Sequence, residues 1–248
     1  MSIHPTAIIS EKAKIGKNVS IGPFSIVHDN VHIGDNSTIE SYCELGVSNH
    51  LSQNGFLSLG ENARIRSRST FYEGSIFGEG LVTGHNVTVR EGTIAGKNLQ
   101  IGTLSDIQGH CIIGDYVRFH SNVHIGQKSK IGHFVWIFPY VVLTNDPHPP
   151  SNILKGVTIE DYVAIATMTT VLPGVCIHKG ALVGAHSLVN KDVESDSVVV
   201  GSPAKFVCPA NKIKLQDGSN NPAYPWITHF HRGYPENIVR KWLESIPT

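Results

Sequence analysis

The segment Thr144-Asn145-Asp146-Pro147-His148-Pro149-Pro150 crowds proton-handling side chains into a proline-rich stretch. An asparagine carbonyl can accept a hydrogen bond from an amine and orient its lone pair; asparagine also builds Asx turns that shape a loop. Asp146 is expected chiefly to shape that loop beside a bound substrate, and His148 can serve as a general base. Gly84-His85-Asn86 sets a second histidine beside an amide, and His120 and His124 lie just inside the span Phe119 to Ile125, where both can face one cleft. The chain holds 14 histidines, so a polar residue on an outer wall is the plain alternative for each. Arg64, Arg66 and Arg68 alternate with Ile65 and Ser67. With Ile65 inward, period-two alternation puts all three outside. Such a stripe of guanidinium groups can hold a diphosphate through paired hydrogen bonds, or simply form a solvated face.

These groups need a scaffold, and a repeat supplies it. Stepping by six from Ile9 gives Ile15, Ile21, Val27, Ile33, Ile39 and Leu45. The step restarts at Leu59, runs to Leu143 with only Thr83 departing from an apolar type, and resumes from Ile159 to Val189. A period of six fits neither an α-helix nor a two-sided strand. It fits short strands that turn a corner every six residues, three to a triangle, stacked as a parallel β-helix. A β-sandwich does not hold such a phase over so many steps. Gly often follows the apolar residue, as at Gly16, Gly34, Gly102 and Gly114, where a corner needs positive φ or close approach. At eighteen residues per coil, Arg66 falls under Gly84, Gly102 and His120 in one column. The phase breaks between Leu45 and Leu59 and between Leu143 and Ile159. The second break predicts an external loop over about 144–157, the kind of interruption that often carries binding function.

Composition narrows the function. The chain has 248 residues, and 20 Lys+Arg balance 20 Asp+Glu, which argues against nucleic-acid binding. No stretch approaches the roughly 20 apolar residues of a membrane span. MSIHPTAIIS lacks the basic and apolar regions of a cleaved leader, and Cys43, Cys111, Cys176 and Cys208 form no CxxC pair. A cytoplasmic protein without disulfides or a metal is expected. Beyond 207 the character changes: Lys212, Lys214, Asp217, Gly218 and Asn220 read as a linker. A helix follows, with Ile238, Val239, Trp242, Leu243 and Ile246 on one stripe after Pro235. This tail either caps the β-helix or lends Trp226, His229, Phe230 and His231 to a ligand site.

VLPGVCIHKGALVGAHSLVNKDVESDSVVVGSPAKFV (Val171 to Val207) resembles the closing signature of the left-handed β-helix hexapeptide acyltransferases. IRSRSTFYEG (Ile65 to Gly74), TGHNVTVREG (Thr83 to Gly92) and VVLTNDPHPP (Val141 to Pro150) are similar to a narrower group within it. Those are the sugar-nucleotide N-acetyltransferases that build amino sugars for surface polysaccharides, although they tend to carry a small residue where Arg68 stands. The resemblance implies an all-β, left-handed parallel β-helix over 1–207, then a linker and short helical tail over 208–248. It also implies a homotrimer with active sites between neighbouring prisms, acetyl-CoA as co-substrate along the C-terminal coils, and a nucleotide-linked amino sugar nearer the middle.

Acetyl transfer to an amine requires proton removal, stabilisation of the thioester oxygen and alignment. By resemblance Asn145, His148 and His85 are the catalytic candidates. Arg66, Arg64, Asn86, His120, His124 and Asp146 would meet the sugar nucleotide. Ala164, Ala166, Gly184 and Ala185 would admit the pantetheine arm, with Lys191 and Lys205 at the CoA phosphates. The His148-Pro149 step resembles that of the sugar O-acetyltransferases, which keeps O-acetylation as the alternative. A γ-carbonic-anhydrase-like metal protein has four residues between its histidine pair, against three between His120 and His124. A non-enzymatic scaffold would have little use for the out-of-phase loop.

Overall fold

The computed structural model describes residues 2–52 and 55–245. Strands of two or three residues, such as Gln100–Ile101, Asp106–Ile107 and Ile112–Ile113, alternate with four-residue corners. Each pairs in parallel with the strand eighteen residues on, Ile101 with Phe119 and Ile107 with Ile125. Three sheets of 12, 10 and 9 strands result, wrapped as a left-handed parallel β-helix. We call first the face carrying Arg118–Phe119, Trp136–Ile137 and Ala164–Ile165. The second carries Asp106–Ile107, His124–Ile125 and Val142–Leu143, and the third Ile112–Ile113, Thr158–Ile159 and Cys176–Ile177. The period-six residues fill the prism, from Ile21 to Val189. Thr83 is buried among them because its Oγ1 accepts the Arg66 N–H at 2.9 Å.

The corner glycines answer one of the two expected needs. Gly16, Gly34, Gly102 and Gly114 do not take positive φ. They allow close approach instead: a Cβ on Gly102 would overlap the backbone of His120 and Ser121 in the next coil. Positive φ falls two residues later and is carried by non-glycine residues, among them Asn98, Tyr116, Phe134 and Tyr162. That conformation costs an L residue about 1–2 kcal/mol. Stacking offsets it: Tyr116, Phe134 and Tyr162 form a column with successive ring centroids 5.2 Å apart and planes within 6°.

Both phase breaks are insertions. After Val47, Ser52 Oγ–H donates to buried Glu73 at 2.6 Å and Asn49 donates to buried Glu91 at 3.0 Å. The second insertion leaves the edge between the second and third faces. Val142 pairs with Thr170, 28 residues on, so ten residues beyond one coil are extruded there.

The C-terminal strand Lys205–Pro209 reverses direction and pairs antiparallel with Ser197–Val200. The tail then folds back over the first face. Its helix, Glu236–Ser245, half-buries Ile238 and Val239 and buries Trp242, but Leu243 is exposed, so the apolar stripe is narrower than expected; Ile246 lies outside the described residues. Trp242 meets Phe134 edge-on at 5.0 Å, and Trp226 and Tyr234 at 5.5 and 4.8 Å. Trp136 Nε1–H donates to the Tyr234 hydroxyl at 2.8 Å. Burial pushes that hydroxyl up to about 12 against the opposing pull of Arg118. Trp242→Ala is therefore expected to cost about 3–5 kcal/mol in urea unfolding and to expose the tail to protease before the coils. Among the described residues, no helix is long and apolar enough to cross a membrane.

Candidate active site

On the second face, Ile107 and Ile125 point inward, so their neighbours Asp106 and His124 stand outside, one above the other. His124 Nδ1 lies 3.0 Å from each Asp106 carboxylate oxygen, and Gln108 Nε2 donates to the same carboxylate. Burial acts to raise the Asp106 pKa, but the hydrogen bonds from His124 and Gln108 outweigh it and hold the carboxyl below its usual range. An ionised Asp106 sets the proton on Nδ1 and leaves Nε2 of His124 as the acceptor. The His124 side chain is 37% exposed, enough to reach a ligand. One coil below Gln108, Arg90 is held by Glu91 at 3.2 Å, with its guanidinium 5.8 Å from the Tyr72 ring. One coil above His124, Val142–Leu143 leads into the external loop.

The loop is a built element. Lys155 N–H donates to the Asn145 carbonyl at 2.8 Å and closes its neck. Asp146 accepts from the amides of His148 and Ser151 at 3.0 Å and from the Ser151 hydroxyl at 2.8 Å, which gives it the loop-shaping part. The His148 side chain is exposed, and Asn145 is half-buried.

The other candidates lie on the edge between the first and second faces. Arg66, Gly84, Gly102 and His120 stack as one column: the Arg66 amide donates to the Thr83 hydroxyl, and the Gly84 and Gly102 amides donate to the Ile101 and Phe119 carbonyls of the next coil. Three coil steps separate Arg66 from His120 by roughly 14 Å. The three arginines do not form a stripe, because the strand is only Arg64–Ile65 and the chain then turns the corner. Arg64 reaches Glu40 at 3.8 Å on the first face, while Arg68 lies over Tyr42 at 5.8 Å in a left-handed turn. His85 and Asn86 are exposed on this edge, three coils below the loop and on a different edge, so one chain does not bring them to Asn145 or His148.

Nor do His120 and His124 share a cleft. His120 leans toward the first face, stacked on Phe138 at 4.6 Å and tilted against Trp136 at 5.8 Å. Burial lowers its pKa from 6.5. A depressed histidine binds its proton less readily folded than unfolded, so its contribution to stability is present above pH 6.5 and is lost as pH falls below that value. Thermal melts of His120→Gln should consequently fall less than the parent's between about pH 7 and pH 5.

Ala164 is buried rather than open. It lines a cavity of about 250 Å³ with Trp136, Phe138, Ala223, Tyr224, Trp226, His229 and Phe230. The tail thus both caps the first face and walls a cavity. His231 bonds the Ile227 carbonyl at 2.8 Å and does not line it. Ala166, Gly184 and Ala185 follow the first-face strands onto the His120 edge, and a Cβ on Gly184 would meet a methyl of the exposed Val200 side chain. Lys191 and Lys205 are exposed. Reading motifs along the chain missed Asp106, Gln108 and Arg90. Counting one coil back from His124 and from Gln108 would have found Asp106 and Arg90.

Residues 12–46 match the family described as bacterial transferase hexapeptide (six repeats). Over 178 residues the chain is 32% identical to dTDP-4-amino-4,6-dideoxy-D-glucose acyltransferase of Escherichia coli, covering 67% of this chain and 88% of that one. Over 93 residues it is 36% identical to 2,3,4,5-tetrahydropyridine-2,6-dicarboxylate N-acetyltransferase of Staphylococcus aureus, covering 38% of this chain and 33% of that one. The solved structure of Arabidopsis UDP-N-acetylglucosamine acyltransferase has a TM-score of 0.67 at 21% identity over 84% of this chain and 74% of its own, a likeness of fold.

Proposed function

The chain belongs to the bacterial transferase hexapeptide family of acyltransferases, and from that premise we propose that it moves an acetyl group from acetyl-CoA to the amine of a nucleotide-linked amino sugar. The observation that carries this reading is the Asp106–His124 pair, held at 3.0 Å one coil from the external loop. The Escherichia coli relative, named for a dTDP-linked 4-amino sugar, supports the acceptor class. The amine nitrogen attacks the thioester carbon, and His124 Nε2 takes the proton that nitrogen sheds. Asn145 orients the amine, and backbone amides steady the oxyanion until the C–S bond breaks and the departing thiolate takes the proton from His124, so that CoA leaves as its thiol. No covalent enzyme intermediate is needed.

A homotrimer fits the same reading. The loop and the Arg66–His120 column occupy different edges of one chain, so a cleft between two chains would set the loop of one against the column of its neighbour. Phe24, Tyr42, Leu104, Tyr140 and Met168 are exposed along that column's edge, which suits contact between copies. The protein would work in the cytoplasm, supplying an acetylated sugar nucleotide for surface polysaccharide. Treating the purified product with hydroxylamine tests the reaction. An amide survives that treatment. A product cleaved by it is an ester, and the reading then moves to O-acetylation with His148 as base.

A further inference from the structure

Glu160, Cys176 and His178 lie at the C-terminal end of the third face, and none of them is among the residues assigned to acyl transfer. Cys176 and His178 flank the inward Ile177, so both side chains point out of the prism. Glu160 stands one coil away, its amide bonded to the Ile177 carbonyl at 2.9 Å. His178 Nδ1 is 3.7 Å from Cys176 Sγ and 3.1 Å from Glu160 Oε1, and the three ligand atoms all lie within 4.8 Å of one another. We propose that these three side chains form a binding site for a divalent ion of the zinc type.

Metal–ligand lengths of about 2.3 Å to sulfur and about 2.0–2.1 Å to nitrogen or oxygen set the edges of a tetrahedral site at about 3.5 Å for S···N and about 3.3 Å for N···O. The two measured separations lie close to these edges, and the sulfur-to-carboxylate separation, within 4.8 Å, has to close toward about 3.5 Å as the ion binds. Backbone partners hold the ligands in place: Glu160 Oε2 accepts the Lys179 N–H at 3.0 Å, and the Cys176 N–H donates to Asp192 at 2.8 Å. The neighbouring cation, Lys179, is engaged over the Tyr162 ring at 5.6 Å. Thiolate, imidazole and carboxylate together suit zinc. The three residues are half-buried, so water can take the fourth position. On binding, the thiol proton passes to solvent as the sulfur–metal bond forms. The ion would clamp the coil of Thr158–Ile159 to that of Cys176–Ile177, independently of any acyl transfer.

Titrating the chelator-treated full chain with Co²⁺ tests this. The expected result is a sulfur-to-cobalt charge-transfer band in the near ultraviolet, with visible bands of four-coordinate intensity, saturating at one ion per chain. Cys176→Ser should abolish the charge-transfer band, and Cys208→Ser should retain it. Should Cys176→Ser fail to fold by circular dichroism, Glu160→Gln decides, with Co²⁺ bound at least about tenfold more weakly. Absence of a saturable band, its survival in folded Cys176→Ser, or unchanged affinity in Glu160→Gln would overturn the proposal.

Discussion

His124→Ala lowers kcat by about 10²- to 10⁴-fold and leaves the KM for acetyl-CoA near the parent value. The size follows from losing the base that takes the proton shed by the attacking amine. The effect falls on kcat because, in the proposed reaction, the imidazole meets the acceptor and not the CoA arm. Asp106→Asn keeps the shape of the pair but removes the charge that orients the ring, so its loss of kcat is smaller. Stability supplies a second readout. The folded Asp106 pKa lies below its usual range. Its contribution is therefore present above the ordinary carboxylate pKa of about 3.9 and disappears as pH falls through the lower folded value. Urea midpoints of parent and Asp106→Asn should differ at pH 7 and converge in strong acid. Unchanged kcat in His124→Ala would remove the pair from the chemistry.

Excising residues 146–155 should abolish turnover by at least about 10³-fold while leaving a folded β-helix. Joined ends would read Thr144-Asn145-Gly156-Val157. That sequence fills the four corner positions occupied one coil down by Gly126, Gln127, Lys128 and buried Ser129. Its third residue, the left-handed position held there by Lys128 at φ 66, becomes a glycine, which takes that conformation without strain. The excision also restores the eighteen-residue spacing that Val142 and Thr170 lack. Asn145 survives but loses the Lys155 bond that closes the loop neck. Circular dichroism and melting should match the parent, and kcat/KM should collapse. Retained turnover would show that the loop is ornamental.

The prism was legible because the strands hide one apolar residue each at a fixed step of six, three to a coil, and the Arg66–Gly84–Gly102–His120 column follows from that step alone. Corner direction was not legible. His120 turns to the first face because Phe138 and Trp136, in the next coil, offer a stacking surface. His124 turns to Asp106, eighteen residues back, and a motif scan does not pair residues at that distance. The tail helix was visible in its apolar stripe and Pro235. Its seat on Tyr116, Phe134 and Tyr162 was hidden, since these aromatics line up only once the coils stack. An expected absence of metal rested on local spacing, with no CxxC and a mismatched histidine pair. Glu160, Cys176 and His178 meet across coils, where local spacing is silent.

Thiol release from acetyl-CoA tests the central claim most directly, with a panel of UDP- and dTDP-linked amino sugars beside matching hydroxyl sugars. Acyl transfer to an amine predicts release with an amino-sugar nucleotide, one thiol per acetylated product, lost in His124→Ala. Release only with hydroxyl sugars, or none across the panel together with no detectable binding of acetyl-CoA, would contradict it.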